Sequence, residues 1–383
     1  MSTKPSQPQA PLQLDLNEQI ECAQTLASRF YTDPSILETE KARIFRRTWQ
    51  LVGTLNHACG EVNGVNRTIA DTESFFTADV AGEPIVVVRD KEGTLRAFSN
   101  VCRHRAGPIA LGSGCKNVLR CAYHGWTYTL DGRLIGTPDV EGVEFFDRST
   151  MGMVPLRIET WEQFIFVNFD HASEPLSAYL GEIPEQARGF LFTRLQFAER
   201  RDYIIRCNWK VYVDNYLEGY HIPIAHPGLM REIDYSQYRT DTFRYHSQQF
   251  APIRAMKQGD AGERFYAPGS GAQEALYFWI FPNLMLNVYP DNVSTNLIVP
   301  LSQDQTLTIF EWFFHDISSQ QVHERMKKAV AFSDEVQRED IGLCESVQRG
   351  LQSSLYDRGR YSVRRENGVH HFHMLLAEFL EKS

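Results

Sequence analysis

The chain has 383 residues, more than twice a common domain size, so two domains or one elaborated domain are expected. Apolar residues make up 43% and charged residues 23%, which excludes wholesale disorder and collagen-like repetition. The net charge of −9 leaves no basic excess to attract phosphate backbones, so nucleic-acid binding is not expected.

The first fifteen or so residues are rich in Pro, Gln and Ser, a composition of disordered tails without the apolar core of a signal peptide or anchor. No apolar run approaches the roughly 20 residues needed to cross a bilayer, so no membrane association is expected. The seven cysteines are odd in number and scattered, so a disulfide framework is not expected; the reading is a cytoplasmic protein whose clustered thiols serve metal or redox chemistry. Asp33-Pro34 opens apolar spacing over 34–50 that predicts a helix with Pro at its first position. From about 50 to 170, short β-rich runs such as EPIVVVRD and QFIFVNF alternate with turn signals such as Asp131-Gly132, predicting a small antiparallel β-domain. Residues 175–192 and 209–221 read as helical, 275–315 as strands and turns, 320–350 as a long amphipathic helix and 370–381 as a closing helix. An α+β second domain, an antiparallel sheet covered by helices, follows from that order.

The strongest motif is Cys102-Arg103-His104, then sixteen residues, then Cys121-Ala122-Tyr123-His124. Both halves lie beside strand-like runs, so two hairpin loops can each present one thiolate and one imidazole. A tetrahedral zinc is chemically reasonable here. Zinc fingers, however, pair like with like, whereas a mixed Cys/His half suits a two-iron cluster with two thiolates on one iron and two imidazoles on the other. Gly125 permits close backbone approach and Trp126 would shield such a cluster from water.

A second site is offered by His221 and His226. Five residues apart, they stand about 500° around an ideal helix and share no face, but Pro223 between them is expected to break or kink the helix and turn both toward one ion. Glu218 and His221, three apart, do share a face. Two histidines and a carboxylate with open positions form the facial triad of non-haem iron(II) oxygenases. Spacing does not choose the carboxylate among Asp334, Glu335, Glu339, Asp340 and Glu345 of the late helix. Asp214 and Asn215 precede the histidines and are candidates to support them. His370-His371-Phe372-His373 invites a metal reading, but its place in a closing helix favours packing.

Together, the Cys-x-His…Cys-x-x-His motif, Asn208-Trp209-Lys210 with Tyr220-His221…His226, the Glu339-Asp340 helix and Glu366-Asn367-Gly368-Val369-His370-His371-Phe372-His373 resemble the α-subunits of Rieske non-haem iron oxygenases, over residues 40–375. The resemblance is strongest toward members acting on quaternary or methylated amines, including choline monooxygenase-like proteins; for such a ligand Tyr277, Trp279 and Phe281, which share one face of the strand 277–281, are candidates for an aromatic cage. It implies an α+β architecture: an N-terminal tail and helix (1–45), an all-β Rieske [2Fe–2S] domain (46–170) and a helix-grip catalytic domain (171–383). It assigns the cluster to Cys102, His104, Cys121 and His124, and a mononuclear Fe(II) to His221, His226 and Asp340. Glu218 falls where the family bridges the two centres for electron transfer. The implied protein is the terminal component of a monooxygenase or dioxygenase that uses O2 and NAD(P)H-derived electrons, delivered by a flavin/iron–sulfur reductase, to hydroxylate or N-demethylate a small ammonium compound. Ring hydroxylation or O-demethylation of an aromatic compound is the alternative. A homotrimer is expected, so that the cluster of one subunit meets the iron site of the next.

Overall fold

The computed structural model describes residues 12–190, 192–252, 274–289, 292–318 and 320–381. Two compact units emerge: Phe45–Leu180 with Leu191–Gln196, and Met1–Ile44 with Gly181–Phe190 and Phe197–Ser383. Among the described residues, no helix is long and apolar enough to cross a membrane.

The first unit is built from β1 (Gln50–Thr54), β2 (Ala58–Val62), β3 (Val65–Thr68), β4 (Ser74–Val80), β5 (Glu83–Arg89), β6 (Leu95–Ser99), β7 (Ser113–Cys115), β8 (Val118–Arg120), β9 (Thr127–Thr129), β10 (Leu134–Gly136), β11 (Pro155–Trp161) and β12 (Phe164–Asn168). A seven-stranded sheet runs β1-β12-β11-β6-β5-β4-β7, a smaller one β10-β9-β8, and β2 pairs β3. The unbroken apolar run of β5 is explained by burial on both faces. Ile85 and Val87 join one core with Phe76, Ile165 and Val167. Val86 and Val88 join another with Cys102, Cys121, Trp126 and Tyr128. The cluster-motif cysteines therefore rest on the back of a fully packed sheet.

The second unit contains α1 (Pro34–Glu40), β13 (Gln196–Ile205), α2 (Trp209–Tyr216), α3 (Ile222–Ala225), α4 (Pro227–Glu232), β14 (Arg239–Thr242), β15 (His246–Pro252), β16 (Glu274–Ile280), β17 (Leu284–Tyr289), β18 (Asn292–Ser302), β19 (Gln305–Phe314), α5 (Gln320–Leu351) and α6 (Asn367–Glu381). Its sheet runs β13-β19-β18-β17-β16-β15-β14, antiparallel from β14 through β19. The helix expected over 175–192 is instead two short turns, Leu176–Leu180 and Ile183–Gln186, because Gly181 takes a left-handed φ of 55° between them. The helix expected to reach residue 221 ends at Tyr216, which changes how the histidines are delivered.

Residues 12–44 cluster with this second unit. Their anchor is a buried ion pair, Lys210 Nζ to Glu40 Oε1 at 2.6 Å, with the Trp209 indole donating to Glu40 Oε2 at 2.7 Å. Beside it, the Tyr31 hydroxyl donates to Asp214 at 2.7 Å, and His373 lies between Asp214 at 3.0 Å and the Tyr361 hydroxyl at 2.6 Å. Of the closing-helix histidines, His370 meets the Asn17 carbonyl at 2.8 Å, so this cluster fastens α6 to its neighbours.

His246, stacked on Phe243, and His371 are held neutral. Burial, then repulsion from His371, pushes His246 down to about 4; burial, then Arg244 and His370, pushes His371 down to about 4. An unfolded chain takes up these protons near 6.5, so the neutral rings add stability that is complete above about pH 6.5 and declines as pH falls toward 4. For His246, 1% exposed, the loss is about 3 kcal/mol. Urea midpoints followed from pH 7.5 to 4 should fall through this window, and His246→Asn should flatten part of the slope; an unchanged slope would refute this assignment.

Candidate metal centres

The loops bearing the cysteines are built alike. The Cys102 N–H donates to the Gly107 carbonyl at 2.8 Å, while the Cys102 carbonyl accepts from the Ala106 N–H at 3.0 Å. Cys121 repeats this with Trp126 at 2.9 Å and Gly125 at 3.0 Å. Each loop turns through a left-handed residue at the fourth position after cysteine, Ala106 (φ 58°) and Gly125 (φ 73°). Asn100 pins the first loop: its side chain donates to the Ala110 carbonyl at 2.9 Å and accepts from the N–H groups of Ile109 and Ala110.

Both thiols are buried, whereas the His104 and His124 rings are exposed with centroids 4.6 Å apart. Trp126 stacks on His104 at 5.0 Å. A side chain at Gly107 would press within 3.3 Å of Cys121 Sγ, so glycine keeps that flank open. The Tyr128 hydroxyl accepts from the Arg103 N–H at 3.1 Å and stands 3.3 Å from Cys102 Sγ, where it can donate to a thiolate. Two inward thiols and two outward imidazoles fit a cluster bound asymmetrically, with its histidine edge open to redox partners.

The second centre begins at the end of α2. Asn208 caps that helix, accepting from the Lys210 N–H at 3.0 Å, and is itself tied to Gln348 and Gln303. The helix stops at Tyr216. Gly219 follows because a Cβ there would lie 2.5 Å from the Tyr238 ring. Pro223 is not the breaker expected from its position: the helix has already ended, and Pro223 stands in the first turn of α3, where its missing N–H costs nothing. His226 then occupies the joint between α3 and α4.

This path brings His221, His226 and Asp340 together, with one ligand atom of each within 4.8 Å of the others. His226 Nε2 lies 3.1 Å from His221 Nε2 and 3.0 Å from Asp340 Oδ1, and His221 Nε2 lies 3.7 Å from the same oxygen. Asn215 steadies Asp340, donating to Oδ1 at 2.8 Å. The five carboxylates left open by spacing separate clearly. Asp334 accepts from Tyr203 and pairs with Arg338 at 2.7 Å, Glu345 pairs with Arg206 at 2.9 Å, and Glu335 is exposed. Asp214 turns away into the Tyr31–His373 network.

Glu339 has a role the sequence reading did not give it. Its Oε2 meets His226 Nδ1 at 2.6 Å, as Glu218 Oε1 meets His221 Nδ1 at 2.5 Å. Adjacent helix residues thus reach both nitrogens of one ring. A signal existed: the consecutive acids Glu339-Asp340 point about 100° apart on α5 and can straddle an imidazole. With both Nδ1–H groups committed to carboxylates, both Nε2 lone pairs and Asp340 Oδ1 converge on one point. Such a donor set is strained unless a cation or a shared proton joins it. Burial would lower the His226 pKa, but Asp340 and Glu339 outweigh that and raise it. The set fits a hard-to-borderline divalent ion with positions left open.

Beside these ligands opens a cavity of about 140 Å³, walled by Tyr277, Tyr289, Phe310, Trp312 and Phe332. Of the three residues expected to form an aromatic cage, only Tyr277 reaches it. Trp279 and Phe281 are fully buried against α6, with Trp279 5.3 Å from Phe372 and Phe281 5.0 Å from Phe379. Strand parity placed the three on one face, but α6 covers the far end of that face.

A family model described as the ring hydroxylating alpha subunit (catalytic domain) matches residues 192–382, and one described as the Rieske [2Fe-2S] domain matches 64–147. The chloroplastic choline monooxygenase of Arabidopsis thaliana is 38% identical, over 93% of this chain and 83% of its own. The chain belongs to the Rieske non-haem iron oxygenases. Within that family, the carnitine monooxygenase oxygenase subunit of Escherichia coli is 32% identical over 93% of this chain and 94% of its own. A quaternary ammonium Rieske monooxygenase solved with L-carnitine superposes with a TM-score of 0.80 at 31% identity, covering 97% of this chain and 99% of the other. This is therefore an oxidoreductase of the oxygenase class, with a Rieske [2Fe–2S] domain and a non-haem iron catalytic domain.

Two measurements probe these centres. Tyr128→Phe removes a donor to a cluster sulfur and should shift the cluster's reduction potential negative in protein-film voltammetry; an unchanged potential would show that the hydroxyl points elsewhere. Glu339→Gln should weaken iron binding about 10- to 100-fold in chelator competition, as loss of a histidine-orienting carboxylate does. Equal affinity would reduce Glu339 to a surface acid.

Proposed function

We propose that this oxygenase hydroxylates or N-demethylates a small quaternary or methylated ammonium compound. The observation that carries the reading is the aromatic wall facing His221, His226 and Asp340. Rings attract a desolvated cation by about 0.5–2 kcal/mol per good contact, and the acidic Glu218 and Asp340 also line the cavity. The named relatives and the L-carnitine complex support the same substrate class.

In this reading Cys102, His104, Cys121 and His124 hold the cluster, and His221, His226 and Asp340 the mononuclear iron. When bound, the cluster supplies electrons singly and the iron supplies oxygen activation at a C–H bond. The protein's own part is placement. Glu218 and Glu339 keep a proton on Nδ1 of each histidine, Asn215 orients Asp340, and the rings exclude water while presenting a methyl or methylene carbon. Glu218 also serves as the bridge for inter-centre electron transfer. Electrons come from NADH or NADPH through a flavin/iron–sulfur reductase, in keeping with the oxygenase-subunit naming of the carnitine relatives.

Exposed apolar side chains mark both centres: Leu111, Tyr123 and Phe145 on the cluster unit, Tyr220 and Ile224 beside Glu218, with Ile224 89% exposed. Such paired patches suit head-to-tail assembly between copies, closing as a homotrimer. No disulfide joins the seven cysteines, which suits the reducing cytoplasm.

The test is a turnover panel with reductase and NADH. Formaldehyde or aldehyde release stoichiometric with loss of a quaternary amine is expected; hydroxylated arene as the product instead would overturn the reading. Trp312→Leu should raise KM for the cation about 3- to 30-fold, the equivalent of one cation–π contact.

A further inference from the structure

One wall of the cavity leads away from the metal ligands through a row of aromatic rings. Phe310 and Trp312 alternate onto one face of β19, and both line the cavity shared with His221, His226 and Asp340. Centroid to centroid, Trp312 stands 5.8 Å from Phe310, and Phe310 stands 5.4 Å from Tyr203 on the adjacent strand β13. Trp312 and Phe310 are buried while Tyr203 is half-buried, so the row runs from the cavity toward solvent.

Packing alone accounts for the rings but not for the way the row ends. The Tyr203 hydroxyl donates to Asp334 Oδ1 at 2.8 Å, and Asp334 is gripped by Arg338 at 2.7 Å and Arg201 at 3.4 Å. Tyrosines at the cavity itself are partnered differently. Tyr212, Tyr216 and Tyr238 donate to the amide oxygens of Gln337, Asn287 and Gln249. An amide is a poor base, whereas a carboxylate can take a phenol's proton and return it. Burial, then the facing Asp334, hold the Tyr203 phenol above its ordinary value, so at rest the proton stays on the ring oxygen. Loss of an electron reverses that balance, because an oxidised phenol is a strong acid.

An oxygenase has a use for such an outlet. When oxygen is activated with no substrate C–H bond in reach, oxidising power is left among the cavity walls, where Trp312 presents an electron-rich indole. We propose that Trp312, Phe310 and Tyr203 form an exit for these stray oxidising equivalents, discharging them at Tyr203 with Asp334 as proton acceptor. The step balances one electron at a time. Trp312 gives one electron to the peroxide-oxidised iron centre, and Tyr203 gives one to Trp312 across the Phe310 ring. The Tyr203 O–H bond breaks, its proton passes to Asp334, and a neutral tyrosyl radical remains. A soluble thiol then returns a hydrogen atom to the tyrosyl oxygen, and two thiyl radicals so formed couple to a disulfide. Asp334 releases its proton to solvent. This rests on the oxygenase class and not on the ammonium reading.

The experiment treats the iron-loaded, substrate-free protein with hydrogen peroxide and a nitroso spin trap, then maps trapped radicals by peptide mass spectrometry. A wild-type adduct at Tyr203 that is lost from iron-free protein is expected. Trp312→Phe should lose that adduct although Tyr203 is intact, and Asp334→Asn should lower its yield. Tyr203→Phe should raise oxidation of Trp312 while leaving initial turnover unchanged. Absence of the Tyr203 adduct in wild type, an equal adduct without iron, or an undiminished adduct in Trp312→Phe overturns the inference. The comparison of iron-loaded with iron-free wild type decides the matter even where a variant fails to fold.

Discussion

Three electron-rich atoms, two imidazole Nε2 and one carboxylate oxygen, are driven to within 4.8 Å of each other, and the catalytic unit is arranged around that convergence. The arrangement costs energy in isolation, because like-charged or lone-pair-bearing atoms face each other in a partly buried place. It persists because each contributor is held from behind. Glu218 and Glu339 fix the outer nitrogens of the rings, and Asn215 fixes Asp340. A metal ion would relieve the convergence, and metal binding would then be coupled to local order here.

Holding such a site needs a rigid backing, and α2 supplies it through an unusual investment in buried charge. Lys210 and Glu40 are both essentially inaccessible, and the pair is completed by the Trp209 indole. A buried ion pair contributes little net stability over apolar substitutes, but losing one partner leaves an uncompensated charge worth about 3–5 kcal/mol. Its use lies in specificity: only one register of α1 against α2 satisfies both groups. Asp214, one turn along the same helix, repeats the device with Tyr31 and His373. Asn215 is its neighbour, so the alignment of Asp340 descends directly from these buried polar contacts.

What was legible in sequence was local chemistry. The Cys/His halves and the His221–His226 segment each lie within a few residues, where turn geometry alone brings side chains together. The long helix α5 was legible too, through its apolar period. Less accessible was any pairing across distance. Asp340 is 114 residues from His226, and five acids compete for one position; only the rotation of α5 against α2 separates the ligand from Glu339 and from the arginine-paired Asp334 and Glu345. The cage expectation failed for a related reason. Alternation on β16 fixes parity, but parity does not reveal that α6 covers Trp279 and Phe281 while Tyr277 remains at the cavity. The ammonium reading survives because the missing rings are supplied by β17, β19 and α5, strands and helix whose neighbours no local pattern specifies.

Glu218 shows how tightly the two levels interlock. One of its oxygens accepts from His221 Nδ1, while the other accepts the backbone N–H groups of Tyr220 and His221. The same carboxylate therefore stabilises the turn that delivers His221 and sets that ring's tautomer. The longer glutamate stem matters, because the acid must reach back over Gly219, where the Tyr238 ring leaves no room for a side chain. A carboxylate so committed is pre-organised, and in the assembly proposed above a histidine of another subunit would meet an acceptor already oriented by backbone donors. Pre-organisation of this kind lowers the reorganisation needed when charge passes through a site, and this is the physical reason behind the bridging role proposed for Glu218 rather than for the more exposed Glu339.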